Sequence, residues 1–359
     1  ATRGIDGVAR LVISTSFNER LPFVQPNQFG LDEESALARN KAIIAESTID
    51  DWLPRWFDEA GDGSFGPMQP ILPCESVAAP GQFSGLGLTW IASIDVLGDG
   101  TPIGSAGVVS TGDTVYASTD NLYIATQNWD WWWGGPVPLP VDIDATAPAS
   151  TDGEAIVEPG PPPTLIHQFA LDAGTGASYV ASGEVEGRLL NQFAMSEHEG
   201  DLRVATTTDD WGRFGDQSES TVYVLRPNGT DLEEISSVTG LGKGEQIHSV
   251  RFIGDVGYVV TFRQIDPLYV LDLSDPANPV LDGELKIPGY SAYLHPVGDG
   301  LLLGVGQDAT DEGRATGTQL SLFDVSDPTN PQRISTLAIG GQSEVEWDHK
   351  AFLFWEPDG

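Results

Sequence analysis

The chain has 359 residues, with 53 acidic and 17 basic side chains, so its formal net charge is −36 at pH 7. A surface of this charge repels nucleic acid and anionic membranes, so neither is an expected partner. Apolar residues make up 40% of the chain, which is enough for a core, and 42 glycines with 25 prolines indicate many turns.

The first predicted element is a strand at residues 7–16, "GVARLVISTS". Apolar and polar residues alternate in it, and it resembles the second strand of a hairpin. Too few residues stand ahead of it for a first strand. An insertion follows at residues 17–86, and it contains one predicted helix at about 32–47 with acidic residues in its first turn. Leu37, Ile43 and Ile44 give this helix an apolar stripe, so we expect it to pack on the strands.

From residue 89 onward the chain repeats a unit of about fifty residues. One hairpin of the unit has a Gly-Asp turn, as in "RFIGDVGYVVTF" and "LHPVGDGLLLGVG". The next has an Asp-Pro turn, as in "YVLDLSDPANPVLDGELKIPG" and "LSLFDVSDPTNPQRISTLAIGG". Proline cannot donate to a strand ladder, and Asp accepts from the backbone ahead of it, so these segments are turns. The repeat predicts an all-β fold, a β-propeller of four-stranded antiparallel blades with one small helical insertion.

The strands amount to about five and a half blades, because the chain opens at a second strand and closes after another in "DHKAFLFWEPDG". An open ring exposes strand edges and apolar blade faces to water. We therefore expect this chain to be part of a ring of about seven or eight blades. The remaining part of the propeller would be a separate chain or a segment on either side of this one.

A second insertion, at residues 127–163, begins "QNWDWWWGG" and continues as an acidic stretch rich in proline and alanine. Its candidate binding residues are Trp129, Trp131, Trp132 and Trp133. In an extended chain, three of the four indole rings share one face. They either form an exposed platform that binds a sugar or a protein, or clamp the insertion onto its own blade. The sequence leaves both alternatives open.

Three histidines, His248, His295 and His349, fall near the first strand of successive repeats, the strand that lines the axis of a propeller. His295, His349 and Asp348 are therefore candidate metal ligands at the mouth of a channel, although no H-E-x-x-H spacing is present. The structural alternative is that His349 replaces a turn residue and that His295 ends a strand. Calcium bound in the acidic loops is the other candidate cofactor.

Several long segments resemble a known family. "LNQFAMSEHEGDLRVATT", "VRFIGDVGYVVTFRQIDPLYVLDLSDP" and "DHKAFLFW" resemble secreted bacterial proteins with a C-terminal β-propeller domain. "ARNKAIIAESTIDDWLPRWF" resembles their actinobacterial branch. The resemblance covers essentially the whole chain, and it implies a secreted protein of the extracellular space or the cell envelope, without implying a reaction.

The sequence thus predicts a non-enzymatic binding or scaffold propeller with a protein or glycan partner and no direct insertion into a membrane. The alternative is a metal-dependent enzyme with its site at the mouth of the propeller channel. Metal content separates these two hypotheses, because the second requires a bound ion at His295 and His349.

The net charge of −36 predicts that salt stabilises the fold, because counter-ions screen the repulsion between carboxylates. We expect the melting temperature, followed by circular dichroism, to rise from low to high sodium chloride and on addition of calcium. A melting temperature that is flat across this range contradicts the view that the charge is an adaptation.

Overall fold

The structure, a computed structural model, describes residues 1–5, 7–98, 100–127, 163–172, 174, 176–208, 218–262, 266–310 and 314–355. The chain divides into two compact units. The first holds the described residues of Ala1–Ser150, Leu165–Gly183 and Gly229–Asp231. The second holds those of Thr151–Thr164, Glu184–Asn228 and Leu232–Gly359. Both units are built mainly from antiparallel strands.

The strands that lie mainly in the first unit are β1 (Thr2–Ile5), β2 (Val8–Ser16), β3 (Arg55–Trp56), β4 (Gln69–Pro70), β5 (Val77–Ala78), β6 (Gly87–Asp95), β7 (Pro102–Val109), β8 (Thr114–Ala117), β9 (Asn121–Gln127), β10 (Thr164–Asp172) and β11 (Gly176–Val185). One sheet has the order β1–β2–β6–β7, with β5 parallel to β7 at its edge. Another follows the order β8–β9–β10–β11, and β3 and β4 pair as a separate hairpin.

The strands of the second unit are β12 (Arg188–Leu189), β13 (Met195–His198), β14 (Asp201–Thr208), β15 (Glu219–Asn228), β16 (Asp231–Leu241), β17 (Gln246–Ile253), β18 (Val256–Phe262), β19 (Asp266–Asp272), β20 (Val280–Ile287), β21 (Tyr290–Gly298), β22 (Leu301–Ala309), β23 (Ala315–Asp324) and β24 (Gln332–Ala338). β12 and β13 both pair with β14, which continues to β15 and β16. The next two sheets have the orders β17–β18–β19–β20 and β21–β22–β23–β24. The first residue of β16, Asp231, forms a parallel bridge with Ser182 inside the first unit.

The Asp-Pro segments form the turns of the two hairpins, β19–β20 and β23–β24, as the sequence predicts. In the first turn, the Asp275 carboxylate accepts the backbone N–H of Ala277 at 3.0 Å and the Asn278 side-chain amide at 2.9 Å. In the second, the Asp327 carboxylate accepts both the N–H and the O–H of Thr329. Each carboxylate therefore accepts hydrogen bonds within its own turn.

Both ends of the described chain differ from the sequence-based expectation. A first strand, β1, does precede β2, and Gly7 with φ of 77° permits the short connection between them. After β24, the described residues contain 310 turns at Glu344–Glu346 and His349–Ala351 in place of the predicted strand. Ser343 and Asp348 cap these turns by accepting backbone N–H groups, and such local bonds compete with strand pairing.

The two last sheets of the second unit pack face to face. Tyr258, Val260, Leu268, Val270 and Ile287 of β18–β20 are buried against β21–β24. The side chains that cover them are Leu294, Leu302, Phe323 and Val325. Because burying one Leu or Val side chain stabilises a fold by about 1.5–3 kcal/mol, this interface is a main source of stability in the unit.

Three short or medium helices lie in the first insertion: α1 (Phe17–Arg20), α2 (Glu33–Glu46) and α3 (Ile49–Trp52). In the predicted apolar stripe of α2, Leu37 and Ile44 are exposed and Ile43 is half-buried, while Ala36 is the buried residue of the helix. Asn40 connects α2 to the chain instead, since its side-chain amide pairs with both backbone groups of Val24. None of the helices in the described residues has the length and apolar character needed to cross a membrane.

The single cysteine of the chain, Cys74, begins a 310 turn at Cys74–Ser76. Its side chain is a free thiol on the surface. From the sequence, a lone cysteine is expected either to be buried as a small apolar residue or to pair with a cysteine outside this chain, and the first of these expectations is wrong here. The turn that carries Cys74 lies between the β3–β4 hairpin and β5, outside the strand ladders.

Replacing Gly283 by alanine should destabilise the second unit by about 2 kcal/mol, because the added Cβ overlaps the Pro328 carbonyl oxygen and lies 2.9 Å from Pro331 Cδ. Urea unfolding followed by circular dichroism measures the change. Gly4→Ala is the matched control, since Gly4 also lies in a strand and a Cβ there meets no atom within 4 Å. Equal unfolding free energies for the two variants would contradict the packing described here.

Candidate functional site

The candidate site lies on β17 and β21, the neighbouring first strands of two consecutive sheets in the second unit. Its members are aromatic or charged side chains from these strands, from the 310 turn Gln192–Ala194 and from the segment after β24. We call them the Arg251 cluster: Phe193, Arg251, Tyr293, His295, His349 and Phe352.

Arg251 holds the cluster together. Its guanidinium carbon lies 4.3 Å from the ring centroid of Phe193 and 5.2 Å from that of Tyr293. Nε and Nη2 both donate to the Leu294 carbonyl oxygen, at 2.9 and 2.7 Å. Burial lowers the pKa of the Arg251 guanidinium, and the nearby Tyr293 opposes this effect. A cation between two rings is attracted by both, so Arg251 fixes the distance between these strands and the 310 turn.

His295 lies at the edge of the same cluster. Its Nδ1 is 3.3 Å from the Tyr293 hydroxyl, and its ring packs against Phe352 and Phe354 at centroid distances of 4.9 and 5.2 Å. Burial, with the positive charge of Arg251 as a second cause, lowers the pKa of His295. The imidazole is therefore mainly neutral at pH 7.

His349 contacts the cluster through Phe193. Its ring meets Phe193 edge-on at 4.9 Å, and its Nε2 lies 3.1 Å from Nε2 of Gln192. Asp348 instead caps its own turn, where its carboxylate accepts the Lys350 N–H. The cluster thus joins the two predicted histidines through aromatic rings. Within the described residues, no group of His, Cys, Asp and Glu side chains is arranged to hold a metal ion.

The third histidine, His248, belongs to a neighbouring group on the same strands. Its ring packs on Tyr290 at 4.4 Å and on Phe262 at 5.6 Å. The Tyr290 hydroxyl donates to Glu346 at 3.3 Å, and the Gln307 amide donates to the same carboxylate at 2.6 Å. Burial lowers the pKa of His248 to about 4. Glu346 therefore connects β21 and β22 to the segment after β24.

Sequence reasoning missed Arg251, although the repeat contains a signal for it. Arg251 pairs with Tyr258 across the β17–β18 hairpin, and His295 pairs with Leu303 across the β21–β22 hairpin. The two residues occupy the same position relative to the Gly-Asp turn, in "RFIGD" and "HPVGD". Aligning the repeats would have paired the arginine with the histidine. Phe193 carries no such signal, because it lies in a 310 turn that the repeats do not share.

A separate candidate surface lies on the first insertion, in the other unit. Its members are large apolar side chains that solvent reaches, and we call them the insertion surface: Phe29, Leu37, Ile44, Ile49, Phe57, Phe65, Met68, Phe83 and Leu86. Single exposed apolar residues are normal, whereas a contiguous apolar patch is typical of a contact site, and among these side chains Phe57 and Phe65 are in direct contact.

The base of the insertion is anchored in the core while its tip is exposed. Leu72 is fully buried against Leu88 and Trp90 of β6, and Phe17 packs edge-on against Trp52 at 4.9 Å. The Trp52 indole N–H donates to the Ser47 hydroxyl at 2.8 Å. This packing orders the insertion and therefore fixes the position of the apolar side chains beyond it.

The β3–β4 hairpin carries the most regular part of the insertion surface. The rings of Phe57 and Phe65 meet edge-to-face at 4.9 Å across the hairpin, although Phe65 is 64% exposed. The tip is closed by Asp62, whose carboxylate accepts both the N–H and the O–H of Ser64. These bonds lower the pKa of Asp62. Asp58 and Glu59 add two carboxylates beside the rings.

The predicted tryptophan site lies outside the described residues. This applies to Trp129, Trp131, Trp132 and Trp133, and to the whole of residues 128–162 of the second insertion. Their role as a binding platform stays a prediction.

Comparison with known proteins decides the family. A family model described as "Beta propeller domain" matches residues 1–359. The chain belongs to this family. The predicted β-propeller fold is thereby confirmed, whereas the number of blades in the ring stays a prediction.

Two relatives of this propeller are archaeal. An uncharacterised protein of Methanocaldococcus jannaschii is 47% identical over 182 residues, which are 49% of this chain and 27% of the relative. An uncharacterised protein of Archaeoglobus fulgidus is 48% identical over 170 residues, 47% of this chain and 25% of the relative. The matched part therefore spans about a quarter of each relative's length. Neither relative supports the actinobacterial part of the sequence resemblance.

Among solved structures, similar chains include an ACO/RPE65 chimera, with a TM-score of 0.39 and 12% identity over 70% of this propeller and 56% of that chain. A Synechocystis apocarotenoid oxygenase mutant has a TM-score of 0.37 and 13% identity over the same shares of the two chains. Likeness at this level carries no information on the activity of this propeller.

The buried histidines predict a loss of stability in acid. Burial lowers the pKa of His167 and of His248 to about 4, against an ordinary value of 6.5. The folded state thus binds fewer protons than the unfolded state below pH 6.5, and stability falls as the pH drops from 6.5 to 4. Each histidine contributes a loss on the order of 3 kcal/mol across that window.

His248→Phe should remove one of these contributions, since a phenyl ring keeps the contacts with Tyr290 and Phe262. Urea unfolding of both proteins at pH 7 and pH 4.5 measures the difference. We expect the variant to lose less stability than the natural propeller, with His167 still titrating in both. Parallel curves would show that His248 is not the titrating group.

Proposed function

We propose that the chain is a non-enzymatic binding or scaffold propeller of the extracellular space or the cell envelope, and that the insertion surface is its contact site. The observation that carries the proposal is the concentration of exposed apolar side chains on an insertion whose base is buried in the core. The location rests on the sequence resemblance and on the acidic composition.

An exposed apolar group costs free energy in water unless something covers it for part of the time. Disordered loops can collapse over such groups, but the anchoring of Leu72 and Trp52 prevents this for the hairpin. Phe57 and Phe65 already make an edge-to-face pair, so their side chains lose little conformational entropy when a partner binds. These properties support a docking role for the hairpin.

The charge around the rings indicates the chemistry of the partner. Asp58, Glu59 and Asp62 flank the aromatic pair, and the whole chain is strongly acidic. A protein with an apolar pocket edged by Lys or Arg matches this surface best, because the charges then attract at the rim while the rings are buried at the centre. A glycan partner would instead use the predicted tryptophan platform of the second insertion.

The experiment uses a double variant, Phe57→Ser with Phe65→Ser. Both side chains are exposed, so the fold and the melting temperature should be preserved. Tagged protein is recovered from the envelope and medium fractions of its source cells after cross-linking, and the cross-linked protein is identified and purified. We expect the double variant to bind that protein at least about tenfold more weakly, since buried aromatic anchors dominate interfaces.

Leu97→Ser is the control, because Leu97 is 85% exposed but lies outside the insertion. It should bind the partner as the natural chain does. Binding that is equal for the natural chain and the double variant contradicts the insertion surface as the contact site. Absence of the chain from both the envelope and the medium contradicts the proposed location.

A further inference from the structure

Arg251 is a charged side chain without a charged partner. In the part of the chain that the structure describes, no carboxylate lies within ion-pair distance of its guanidinium. Arg226 of the same unit shows the contrast, because its Nε and Nη2 donate to the two oxygens of the Asp201 carboxylate at 2.7 and 2.6 Å. A chain with 53 acidic residues thus pairs an exposed arginine and leaves a more buried one unpaired.

Two carboxylates of the segment after β24 are bonded elsewhere. Glu346 accepts from two side chains of β21 and β22, and Asp348 accepts a backbone N–H of its own turn. Neither of them forms an ion pair with Arg251. Partial burial of a cation without a counter-charge costs free energy, and a bound anion is one way to offset that cost.

Arg251 also has more hydrogen-bond donors than the protein uses. A guanidinium carries five N–H groups. The Leu294 carbonyl oxygen accepts one from Nε and one from Nη2, and the Tyr293 hydroxyl is a further acceptor. The other N–H groups have no acceptor among the residues that the structure describes, and Arg251 is partly open to solvent. They are therefore available to a ligand.

Tyr293 fixes which nitrogen of His295 carries the hydrogen. The Tyr293 hydroxyl accepts from Arg251, so its own O–H is left to donate to Nδ1 of His295, which is 3.3 Å away. A neutral imidazole has one N–H group, and that group is then at Nε2. Nε2 has no hydrogen-bond partner in the described part of the chain, and His295 is partly open to solvent. The cluster thus holds a second unused donor in addition to the guanidinium.

The aromatic rings around these donors are also reached by solvent. Phe193, Tyr293 and Phe352 are half-buried, and Phe354 is 38% exposed. The Phe352 ring lies 5.1 Å from the Tyr293 ring and 4.9 Å from the His295 ring, measured between centroids. The cluster therefore combines an unpaired cation, a neutral donor and flat apolar walls.

We propose that the Arg251 cluster binds a small organic anion with a flat apolar body, of the class of the aromatic carboxylates. The planar fork of a guanidinium matches the two oxygens of a carboxylate, so Arg251 donates to both of them. Nε2 of His295 donates a further hydrogen bond, and the open rings contact the apolar body of the ligand. A metal ion suits the cluster less well, because the charge of Arg251 repels cations.

The test is a titration of the purified chain with fluorobenzoate, followed by fluorine NMR at pH 7 in the presence of EDTA. Fluorobenzamide is the matched neutral probe, since it has the same ring without the charge. We expect the benzoate to bind at least about tenfold more tightly than the amide. The net charge of −36 makes this result informative, because it repels anions from the rest of the surface. Equal or weaker binding of the benzoate overturns the proposal.

Arg251→Gln should weaken the binding of fluorobenzoate at least about tenfold, because it removes the charge and the fork. Arg226→Gln is the matched control. It removes the same charge from the same unit, but from an arginine that Asp201 already neutralises, so the Kd should stay unchanged. An equal loss of affinity in the two variants would show a general effect of charge, and it also overturns the proposal.

Tyr293→Phe provides the test if Arg251→Gln does not fold. The phenyl ring keeps the contacts with Phe193 and Phe352, and the substitution removes the hydroxyl between Arg251 and His295. We expect fluorobenzoate to bind about threefold or more weakly to this variant. An unchanged affinity contradicts the assigned donors. These measurements do not involve the insertion surface, so the two proposals succeed or fail independently.

Discussion

The packing of one sheet on the next is the interaction on which the second unit depends. β19 is buried on both faces, so Leu268, Tyr269, Val270 and Leu271 form an uninterrupted apolar run. A four-stranded sheet with two apolar faces cannot be stable alone in water, because each face must be removed from solvent. Stability is therefore a property of neighbouring pairs of sheets, as in other repeat proteins.

The polar contacts between sheets have a different role from the apolar ones. The Pro276 and Pro328 carbonyl groups approach the outer strand of the preceding sheet, and Arg251 spans β17 and β21 at the inner strands. Such directional contacts fix the distance and angle between sheets, which apolar packing alone leaves adjustable. Arg251 also shows how a charge is tolerated here: two rings and one carbonyl oxygen replace the water around it.

The sequence predicts the repeated part of the chain well and the unrepeated part poorly. The Gly-Asp and Asp-Pro hairpins follow from local turn chemistry and from alternation with period two, which are visible in a few residues. The apolar stripe predicted for α2 is only partly confirmed, because Leu37 and Ile44 are exposed although they have the spacing of a packed helix face. The strand predicted after β24 is replaced by 310 turns for a local reason, since capping by Ser343 and Asp348 favours such turns over a strand.

The candidate site shows the same contrast between what the repeats predict and what they do not. The histidines could be placed near one another because each repeat puts its first strand in the same role, and His295 and His349 do share one cluster. The aromatic rings and the arginine that surround them could not be foreseen, since these contacts join residues far apart in sequence, such as Phe193 and Tyr293. Both histidines contact aromatic rings in this cluster, and their role as metal ligands stays a prediction.

One exposed thiol has a practical consequence for work on this molecule. Cys74 is the sole cysteine, and it lies on the surface between the β3–β4 hairpin and β5. A maleimide dye or a nitroxide spin label would therefore attach at a single known position without any engineering of the chain. The spectrum of the attached label would report how closely other atoms surround it near the anchored base of the insertion. The same thiol can link two molecules by an intermolecular disulfide in air, so a reducing agent belongs in every preparation meant for sedimentation.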